Sequence, residues 1–345
     1  MPWLSRGGTA GPGGATARTP AAASTGPQVA AMITGVRTAS TLRHGVARPL
    51  LPGCAPSPAC RFLAAPVPGP PLPGGGLPWE HGRMDGAITH GMNGVIRQLK
   101  VCLNGKRSQS DYPAVPVTPG ELARDAVDAV AAGAEAIHFH ARGPDGAESV
   151  RAADVGAAVA AVRAACPGTP VGVSTGLWIT HGDAAARHAA VASWAGLDAA
   201  ARPDFASVNV SEKGWAGLAR VLGAAGIAVE AGVWSAADVP VLAAAGLPQP
   251  PLRILVEVMG EPALAASRAA EAILRALDAS AVRGLPRLLH GEEESCWPLV
   301  AMSARVGLAT RIGLEDTVAG PDGEPVSGNA ELVRCALEVL GRAQP

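Results

Sequence analysis

Two histidines separated by one residue, His138 and His140, are the side chains in this sequence best suited to bind a metal. If they lie on a β-strand, both imidazoles project to the same face, and one ion can contact both. Taken alone, the pair fits equally well with one histidine in the core and one at its rim. A carboxylate farther along the chain, Glu315, favours a metal site, because two histidines and a glutamate leave open positions on a divalent ion.

The elements that would hold these residues follow a regular alternation of strands and helices. Eight short apolar runs predict strands at Leu99–Leu103, Ala136–His140, Pro170–Ser174, Asp204–Val210, Ile227–Ala231, Leu252–Val258, Pro286–His290 and Thr310–Glu315. Ala-rich segments with helical spacing lie between and after them, and Thr118 with Glu121 predicts a capped start for the first helix. Eight strand–helix repeats predict an α/β fold of the (β/α)8, or TIM, barrel type. A doubly wound sheet is the alternative, but no G-x-G-x-x-G motif follows the first strand.

Polar side chains stand at the ends of the predicted strands, where TIM barrels carry their active sites. In chain order these residues are Asn104, Lys106, Arg107, His138, His140, Ser174, Ser207, Asn209, Glu230, Glu257, His290, Glu292, Arg311, Glu315 and Asp316. Their convergence at one rim predicts an enzyme. Separately, each has an ordinary structural explanation: Arg311 and Asp316 can form a buried ion pair, and serine or asparagine often caps a loop. Trp178, Trp234 and Trp297 are expected to pack over the rim.

The N-terminal part of the chain has a different composition. Residues 1–79 contain six Arg, no Asp or Glu, and mostly Ala, Gly, Pro, Ser and Thr. So few large apolar side chains cannot offset roughly 1–2 kcal/mol of backbone entropy per residue. We therefore predict a disordered extension over residues 1–92 and a catalytic barrel over residues 93–345. The extension fits a targeting peptide or a Pro-rich linker, and we favour a third interpretation, a true start at Met84 or Met92.

Charge and composition exclude several classes of protein. Beyond residue 79 the chain has 22 basic and 29 acidic residues, which gives no basic surface for nucleic acid. No apolar run reaches the ~18 residues that a membrane span needs. The six cysteines are scattered without a C-x-x-C pair, which is typical of a reduced compartment. We expect a cytoplasmic enzyme, homo-oligomeric, that binds small molecules and neither nucleic acid nor membranes.

An ordered set of motifs over residues 98–343 resembles the β-keto acid cleavage enzyme family, typified by 3-keto-5-aminohexanoate cleavage enzyme. The motifs are Asn104-Gly105, Pro116-Val117-Thr118-Pro119, His138-Phe139-His140-Ala141-Arg142, Ser174-Thr175-Gly176, the run from Pro203 to Asn209, Arg311-Ile312-Gly313-Leu314-Glu315-Asp316, and Asn329. Each motif is short and weak by itself. Their order along nearly the whole foldable part makes the resemblance specific.

The resemblance implies a zinc-dependent acyltransferase. Such an enzyme converts a β-keto acid and acetyl-CoA to acetoacetate and a new acyl-CoA. The implied ligands of one Zn²⁺ per chain are His138, His140 and Glu315. Asp316 matches the position of the base that removes a proton from the substrate, and Arg311 matches the residue that orients this base. The positions implied to bind the substrate carboxylate and oxyanion are Ser174, Ser207 and Asn209. The chemistry fits a divalent cation, which can stabilise an enolate formed next to a keto group.

Two departures from the family pattern bear on the substrate. Arg107 stands where the family has a carboxylate, and a P-E-x-E run on the fifth strand is reduced to Glu230, with Gly232 in place of the second acid. We therefore predict that Arg107 and Glu230 line the pocket and that Arg107 pairs with a polar or anionic substrate tail. Two alternatives stay open: a metal-dependent TIM-barrel aldolase, lyase or hydrolase that does not use CoA, and a barrel that binds a ligand without turnover.

Overall fold

Eight apolar runs form parallel strands in the computed structural model of this protein, which describes residues 99–248 and 251–342. The strands β1 to β8 span Leu99–Cys102, Ala136–Phe139, Val171–Ser174, Phe205–Asn209, Ala228–Val233, Pro251–Val258, Arg287–Gly291 and Ala309–Ile312. Nearly every strand residue is buried. This pattern is expected where helices cover the outside of a parallel sheet and side chains fill its interior.

The sheet closes on itself. Each strand pairs in parallel with the next one in sequence, and β1 also pairs with β8 through Leu99 opposite Thr310 and Val101 opposite Ile312. Closure leaves no open sheet edge and brings the first and last strands of the barrel side by side. The prediction of a (β/α)8 barrel is confirmed, and the doubly wound alternative is wrong.

Helices alternate with the strands around the outside. The helices α1 to α8 span Pro119–Ala131, Ala152–Ala165, Ala184–Ala192, Trp215–Ala224, Asp238–Ala245, Ala263–Asp278, Cys296–Val306 and Asn329–Arg342. Short 3₁₀ helices lie at Leu177–Thr180, Ser193–Gly196 and Glu293–Ser295. The predicted cap of α1 is confirmed: the Glu121 amide donates to Thr118 Oγ1, and the Glu121 carboxylate accepts from the Thr118 amide at 2.8 Å.

The end of β8 differs from the prediction. The strand stops at Ile312 and not at Glu315, so Glu315 and Asp316 lie in the segment that follows it. The Asp316 amide donates to the Gly313 carbonyl at 2.8 Å, which turns the chain immediately after the strand. Arg311 is therefore on the strand, whereas the ligand and the base proposed beside it are in a turn.

Three buried charges cross the barrel interior. Glu230 on β5 is fully buried, and its carboxylate accepts from Lys100 Nζ on β1 at 2.5 Å and from Arg253 Nε on β6 at 2.7 Å. Although burial favours the neutral acid, Lys100 and Arg253 lower the pKa of Glu230 to about 2. This network joins β1, β5 and β6.

Several expectations concern the chain as a whole. The predicted disordered extension over residues 1–92 lies outside the described residues. Within the described part, Cys102, Cys166, Cys296 and Cys335 are free thiols, as the scattered spacing indicated. No helix in residues 99–248 and 251–342 has the length and apolar character required to cross a membrane.

Candidate active site

Three potential metal ligands meet at the carboxyl ends of the strands. His138 Nε2 lies 3.8 Å from one Glu315 carboxylate oxygen, and His140 Nε2 lies 3.6 Å from the other. One ligand atom from each residue can be chosen so that all three atoms lie within 4.8 Å of one another. All three side chains are at least about nine-tenths buried. The structure thus brings together the three ligands that the sequence indicated.

Backbone contacts hold these ligands in place. Asn104 clamps the end of β2, because its side chain accepts from the His140 amide at 2.8 Å and donates to the His140 carbonyl at 3.0 Å. On the other side, the Glu315 amide donates to the Cys102 carbonyl at 3.2 Å. Gly105 lies against the Glu315 side chain with a positive φ of 56°, and a Cβ there would collide with Glu315.

Asn329 secures the turn that carries Glu315. Its side-chain oxygen accepts from the Leu314 amide at 2.7 Å, and its nitrogen donates to the Leu103 carbonyl at 2.8 Å. The same nitrogen donates to Asp125 on α1 at 2.6 Å. One buried amide therefore ties the segment after β8 to the end of β1, where the barrel closes.

His140 has a carboxylate partner on the side away from Glu315. Its Nδ1 lies 2.5 Å from Glu148 Oε1, and its ring stacks on Trp178 with a centroid separation of 6.1 Å. The Trp178 indole donates to the same carboxylate at 3.0 Å. A carboxylate on the second nitrogen fixes the orientation of a ligating imidazole and increases its basicity.

Burial and charge set the protonation of the three ligands. Burial lowers the pKa of His138 well below its usual value and favours the neutral imidazole that ligates metals. Burial acts in the same direction on His140, but Glu315 and Glu148 outweigh it and raise the pKa of His140 to about 9. Arg311 and His140 hold the pKa of Glu315 well below its usual range against the effect of burial.

The donor set fits a divalent cation. Glu315 Oε2 and His138 Nδ1 are buried without a hydrogen-bond partner among the described residues. A carboxylate oxygen left in this state beside two imidazoles is costly unless a cation compensates it. Two histidine nitrogens and a carboxylate are the ligands of many catalytic zinc sites, which keep a further position open.

A charged pair lies directly behind the ligands. Arg311 donates to Asp316 Oδ1 through Nε at 3.0 Å and Nη2 at 2.7 Å, and also to Glu315 Oε1 at 2.9 Å. Burial raises the pKa of Asp316 to about 7 despite this arginine, with Glu315 and Glu292 adding to the rise. Asp316 Oδ2 is buried and has no hydrogen-bond partner in the described part of the chain.

A cavity of about 270 Å³ opens over the ligands at the end of the barrel. Its lining residues are Lys106, His138, His140, Ser174, Trp178, Ser207, Asn209, Trp234, Glu257, Met259, Glu292, Arg311 and Glu315. The candidate metal ligands, Arg311 and the predicted carboxylate-binding residues Ser174, Ser207 and Asn209 therefore face one space. Such a concave site with convergent polar groups is typical of an active site.

Three predicted site residues do not line this cavity. Arg107 turns away from it, donating to the Leu314 carbonyl at 2.6 Å and to Glu293 at 2.5 Å. The Glu230 carboxylate forms ion pairs with Lys100 and Arg253 inside the barrel. Asp316 lies behind Arg311 and Glu315 and is fully buried. The geometry gives no support for a substrate contact by Arg107 or Glu230, because other groups already occupy both side chains.

Other residues of the site were not assigned from the sequence. Lys106 lines the cavity in place of its neighbour Arg107, and Trp178 and Trp234 form part of the wall. Glu257 and Glu292 also line it; the sequence placed both at strand ends, as it did Lys106, but gave them no individual role. Glu148 carried no such signal, because it lies in the loop after β2 and approaches His140 only through the fold.

Known proteins share this architecture. Three solved structures of the protein ObcA, titled as a ternary complex with a C4-CoA adduct and oxalate, a binary complex with oxaloacetate, and an apo form, match 67% of this chain at 18% identity. Their TM-scores are 0.54, 0.54 and 0.52, and this chain spans 64%, 64% and 62% of theirs. At this identity the likeness shows the fold alone.

A family model gives a more specific result. The model described as "beta-keto acid cleavage enzyme" matches residues 98–344, which is most of the chain and the whole of the barrel. The match includes the ligand cluster, Arg311 and Asp316, and it agrees with the resemblance seen in the sequence motifs. The chain belongs to the β-keto acid cleavage enzyme family.

Proposed function

We propose that this protein is an acyltransferase that cleaves a β-keto acid with acetyl-CoA to give acetoacetate and a new acyl-CoA. The observation that carries the proposal is one cavity lined by the His138, His140 and Glu315 cluster together with Arg311. When bound there, a divalent cation supplies the Lewis acidity that favours loss of a proton from the methylene between the keto and carboxylate groups. Zinc is our choice of metal on its ligand preference.

The substrate carboxylate would be bound by hydroxyl and amide groups of neighbouring strands. Ser174 at the end of β3 and Ser207 with Asn209 on β4 all line the cavity. The Asn209 amide is held by Glu212, to which its Nδ2 donates at 3.0 Å. Groups fixed in this way bind without a further ordering cost, which helps to keep the reacting carbon in one orientation.

Asp316 is our proposed proton acceptor. Its Oδ2 has no hydrogen-bond partner among the described residues, and burial raises its pKa to about 7, which suits a base that works near neutral pH. Arg311 holds the other carboxylate oxygen and thereby orients the base. Arg311, which also lines the cavity, would then face the negative charge that develops on the substrate.

The acyl exchange needs no covalent bond to the protein. The carbanionic carbon of the substrate attacks the carbonyl carbon of acetyl-CoA, and the CoA thiolate leaves. That thiolate adds to the original keto carbon of the substrate, and the bond between this carbon and the methylene carbon breaks. The electron pair of the broken bond returns to the methylene carbon, which takes back the proton from the acid form of Asp316, and acetoacetate and the new thioester result.

The molecules bound in the ObcA structures, which share this fold, support the choice of reactants. Their titles record oxaloacetate, which is itself a β-keto acid, and a CoA adduct. They do not indicate which β-keto acid this chain uses. The assignment of this activity to the present chain rests on its family membership and on the cavity described above.

The proposal is tested by incubating metal-loaded enzyme with a panel of β-keto acids and acetyl-CoA and following acetoacetate. Formation of acetoacetate only when both substrates are present supports it. Consumption of the β-keto acid at the same rate without acetyl-CoA would instead indicate the alternative, an aldolase, lyase or hydrolase of the same fold. The metal content of the purified protein is measured alongside. We expect about one ion per chain in the wild type and none in a His138→Ala, His140→Ala double variant.

The remaining expectations stay proposals. We propose a cytoplasmic location, with which the free cysteines of the described part accord, and a homo-oligomeric state. The proposed division into an extension over residues 1–92 and a barrel over residues 93–345 accords with the first described strand starting at Leu99.

A further inference from the structure

A second cavity, which we call the α3–α4 cavity, lies where these two helices begin. Its volume is about 720 Å³, within the range of roughly 300–1,000 Å³ that is typical of sites for small organic ligands. One wall is formed by residues 182–185 and the first turns of α3, and the other by residue 213 and the first turns of α4. Both walls follow the carboxyl ends of strands, β3 and β4. The α3–α4 cavity is therefore on the same face of the barrel as the active-site cavity.

The free charges of the α3–α4 cavity are positive. Lys213 and Arg220 line it and are exposed, and neither side chain has a hydrogen bond or an ion pair with another described residue. Asp183 is the one carboxylate in the lining, and its Oδ1 caps α3 by accepting from the amides of Ala185 and Ala186. Two cations are thus left to bind an anion, for which charge-assisted hydrogen bonds are the strongest contacts available.

The first turn of α4 adds a backbone donor to these two cations. No side chain caps this helix, whose cap residue is Gly214. The amide of Gly217, in the first turn, has no partner within the helix, and Gly217 lines the cavity. A Cβ at position 217 would lie 3.9 Å from His188 Cδ2 on the opposite wall, so the missing side chain widens the space in front of this turn. The positive end of the helix dipole favours an anion there as well.

A buried arginine fixes the segment between the two cavities. Arg187 donates to the Lys213 carbonyl at 2.7 Å and forms an ion pair with Glu212. Glu212 also accepts from Asn209 Nδ2 at 3.0 Å, and Asn209 lines the active-site cavity. The backbone at Lys213 is therefore held in a fixed position relative to the active site, which lowers the ordering cost of binding a ligand. Because Arg187 compensates Glu212, this carboxylate opposes an anion only weakly.

The distance between the two cavities matches a long, thin acyl donor. Trp178 lines the active-site cavity and Gly182 lines the α3–α4 cavity, and Asn209 and Lys213 are likewise four residues apart. Four residues of extended backbone span at most about 14 Å. The arm of CoA contains about as many bonds between its thiol sulfur and its first phosphorus as four residues of backbone do. A CoA molecule with its thioester in the active-site cavity can therefore place its phosphates between α3 and α4.

We propose that the α3–α4 cavity binds the phosphates of CoA and that Lys213 and Arg220 are their ligands. The inference rests on the proposed function and identifies where the nucleotide end of its acyl donor binds. These contacts lie far from the reacting carbonyl and are the same in the ground state and the transition state. They should therefore lower the KM of acetyl-CoA and leave kcat unchanged. Free phosphate or a free nucleotide would meet the same charges, but neither has an arm that reaches the active site.

The test compares acetyl-CoA with acetylpantetheine, which keeps the arm and the thioester but has no phosphate. Their kcat and KM values are measured with full-length, metal-loaded enzyme at a saturating β-keto acid concentration and at one salt concentration, because salt screens exposed charges. In a Lys213→Gln, Arg220→Gln double variant the KM of acetyl-CoA should rise about tenfold or more with kcat unchanged. The KM of acetylpantetheine should stay within about twofold of the wild-type value, since it has no group for these cations.

The control is an Arg305→Gln, Arg334→Gln double variant. It removes two exposed arginines, on α7 and α8, that do not line either cavity, and it changes the net charge by the same amount. Both donors should keep their wild-type KM in this variant. An equal rise in the KM of acetyl-CoA in the two double variants would show a general effect of net charge and would overturn the inference.

Calorimetry without a β-keto acid reads the site even if no acyl transfer occurs. The Kd values of CoA and of adenosine 3′,5′-bisphosphate should both rise about tenfold in the Lys213→Gln, Arg220→Gln variant, and the bisphosphate should compete with CoA. An unchanged Kd of CoA would overturn the inference. So would bisphosphate binding that depends on Lys213 and Arg220 but does not compete with CoA, because the cavity would then bind a separate nucleotide. Weaker CoA binding in the variant, without acetoacetate from the wild type, would count against the proposed function alone.

Discussion

Charged side chains in this site differ in function according to the groups that surround them. Arg107 and Lys106 are neighbours in sequence, yet only Lys106 lines the cavity, because the Leu314 carbonyl and Glu293 hold Arg107 on the other side. The sequence predicted a guanidinium facing the substrate, and it could not show which of two adjacent basic side chains turns inward. That choice depends on contacts with a segment about two hundred residues away.

The histidines show the opposite case. Their spacing alone indicated a common face, and the barrel places both imidazoles beside Glu315. The sequence did not identify Glu148, the carboxylate at 2.5 Å from His140 Nδ1. A partner that comes from a loop has no periodic signal, so only the folded chain shows it.

Glu148→Gln tests this carboxylate. The substitution keeps the shape but removes the charge that orients His140 and makes it a better ligand. We expect metal affinity to fall about 10- to 100-fold while the protein stays folded. Competition with a chelator measures the affinity, and Glu271→Gln on the exposed face of α6 is the matched control. An affinity equal to that of the wild type would contradict the assigned contribution of Glu148.

Asp316→Asn tests the proposed base. The amide fills the same volume beside Arg311 but cannot accept the proton from the substrate methylene. We expect kcat to fall roughly 100-fold or more, with the Kd of the β-keto acid changed by less than about threefold. Steady-state kinetics with acetyl-CoA and calorimetry without it separate the two effects. If kcat is retained, another group accepts the proton, and Glu257 in the cavity wall is the first to examine.

At the level of elements, the sequence predicted strand positions well and strand ends less well. Apolar runs located all eight strands because a parallel strand buried on both faces is predominantly apolar. The eighth run was extended too far, since the buried Leu314 continues the apolar pattern although the chain already turns there. Hydrophobic residues indicate that a segment is buried. They do not distinguish a buried strand from a buried turn.

Glu230 was misinterpreted for a related reason. It lies on the fifth strand next to the rim residues, so its sequence position could not distinguish a substrate ligand from a partner of Lys100 and Arg253. The partners come from β1 and β6, and only the closed barrel brings the three side chains together. The charges that an element exposes or buries depend on its neighbours in the sheet.

Glu230→Gln should destabilise the barrel, because it leaves two buried cations without their anion. We expect the free energy of unfolding at pH 7 to fall by about 3–5 kcal/mol. The folded-state pKa of Glu230, about 2, is below the ordinary value of 4.5, so its stabilisation is complete above pH 4.5 and is lost as the pH falls towards 2. The difference between wild type and variant in urea unfolding should therefore be smaller at pH 3.5 than at pH 7. A difference that grows with acidity would refute the account of this network.

For the molecule as a whole, the site exists because the barrel closes. Its candidate metal ligands come from β2 and the residue that follows it and from the turn after β8, which are adjacent because β1 pairs with both strands. The alternation of strands and helices was enough to predict this topology, and the topology predicted that strand ends would converge. What it could not provide is the direction of each side chain at that rim.

A variant that begins at Met92 should behave like the full chain. The first described strand starts at Leu99, and β1 to β8, which all follow Met92, form a closed sheet. We expect the same metal content and the same cooperative urea transition as in the full-length protein. A broad, non-cooperative transition in the shortened chain would contradict the proposed domain boundary.

Isotope position in the product tests the central claim most directly. Acetyl-CoA carrying ¹³C in its methyl group is incubated with metal-loaded enzyme and an unlabelled β-keto acid, and the acetoacetate is read by NMR. The account predicts label only in the methyl carbon of acetoacetate, because the acetyl group joins the methylene and carboxylate that the β-keto acid supplies. It also predicts an unlabelled acyl-CoA in equal amount. Unlabelled acetoacetate, or loss of the β-keto acid with all label still in acetyl-CoA, would contradict acyl transfer at this site.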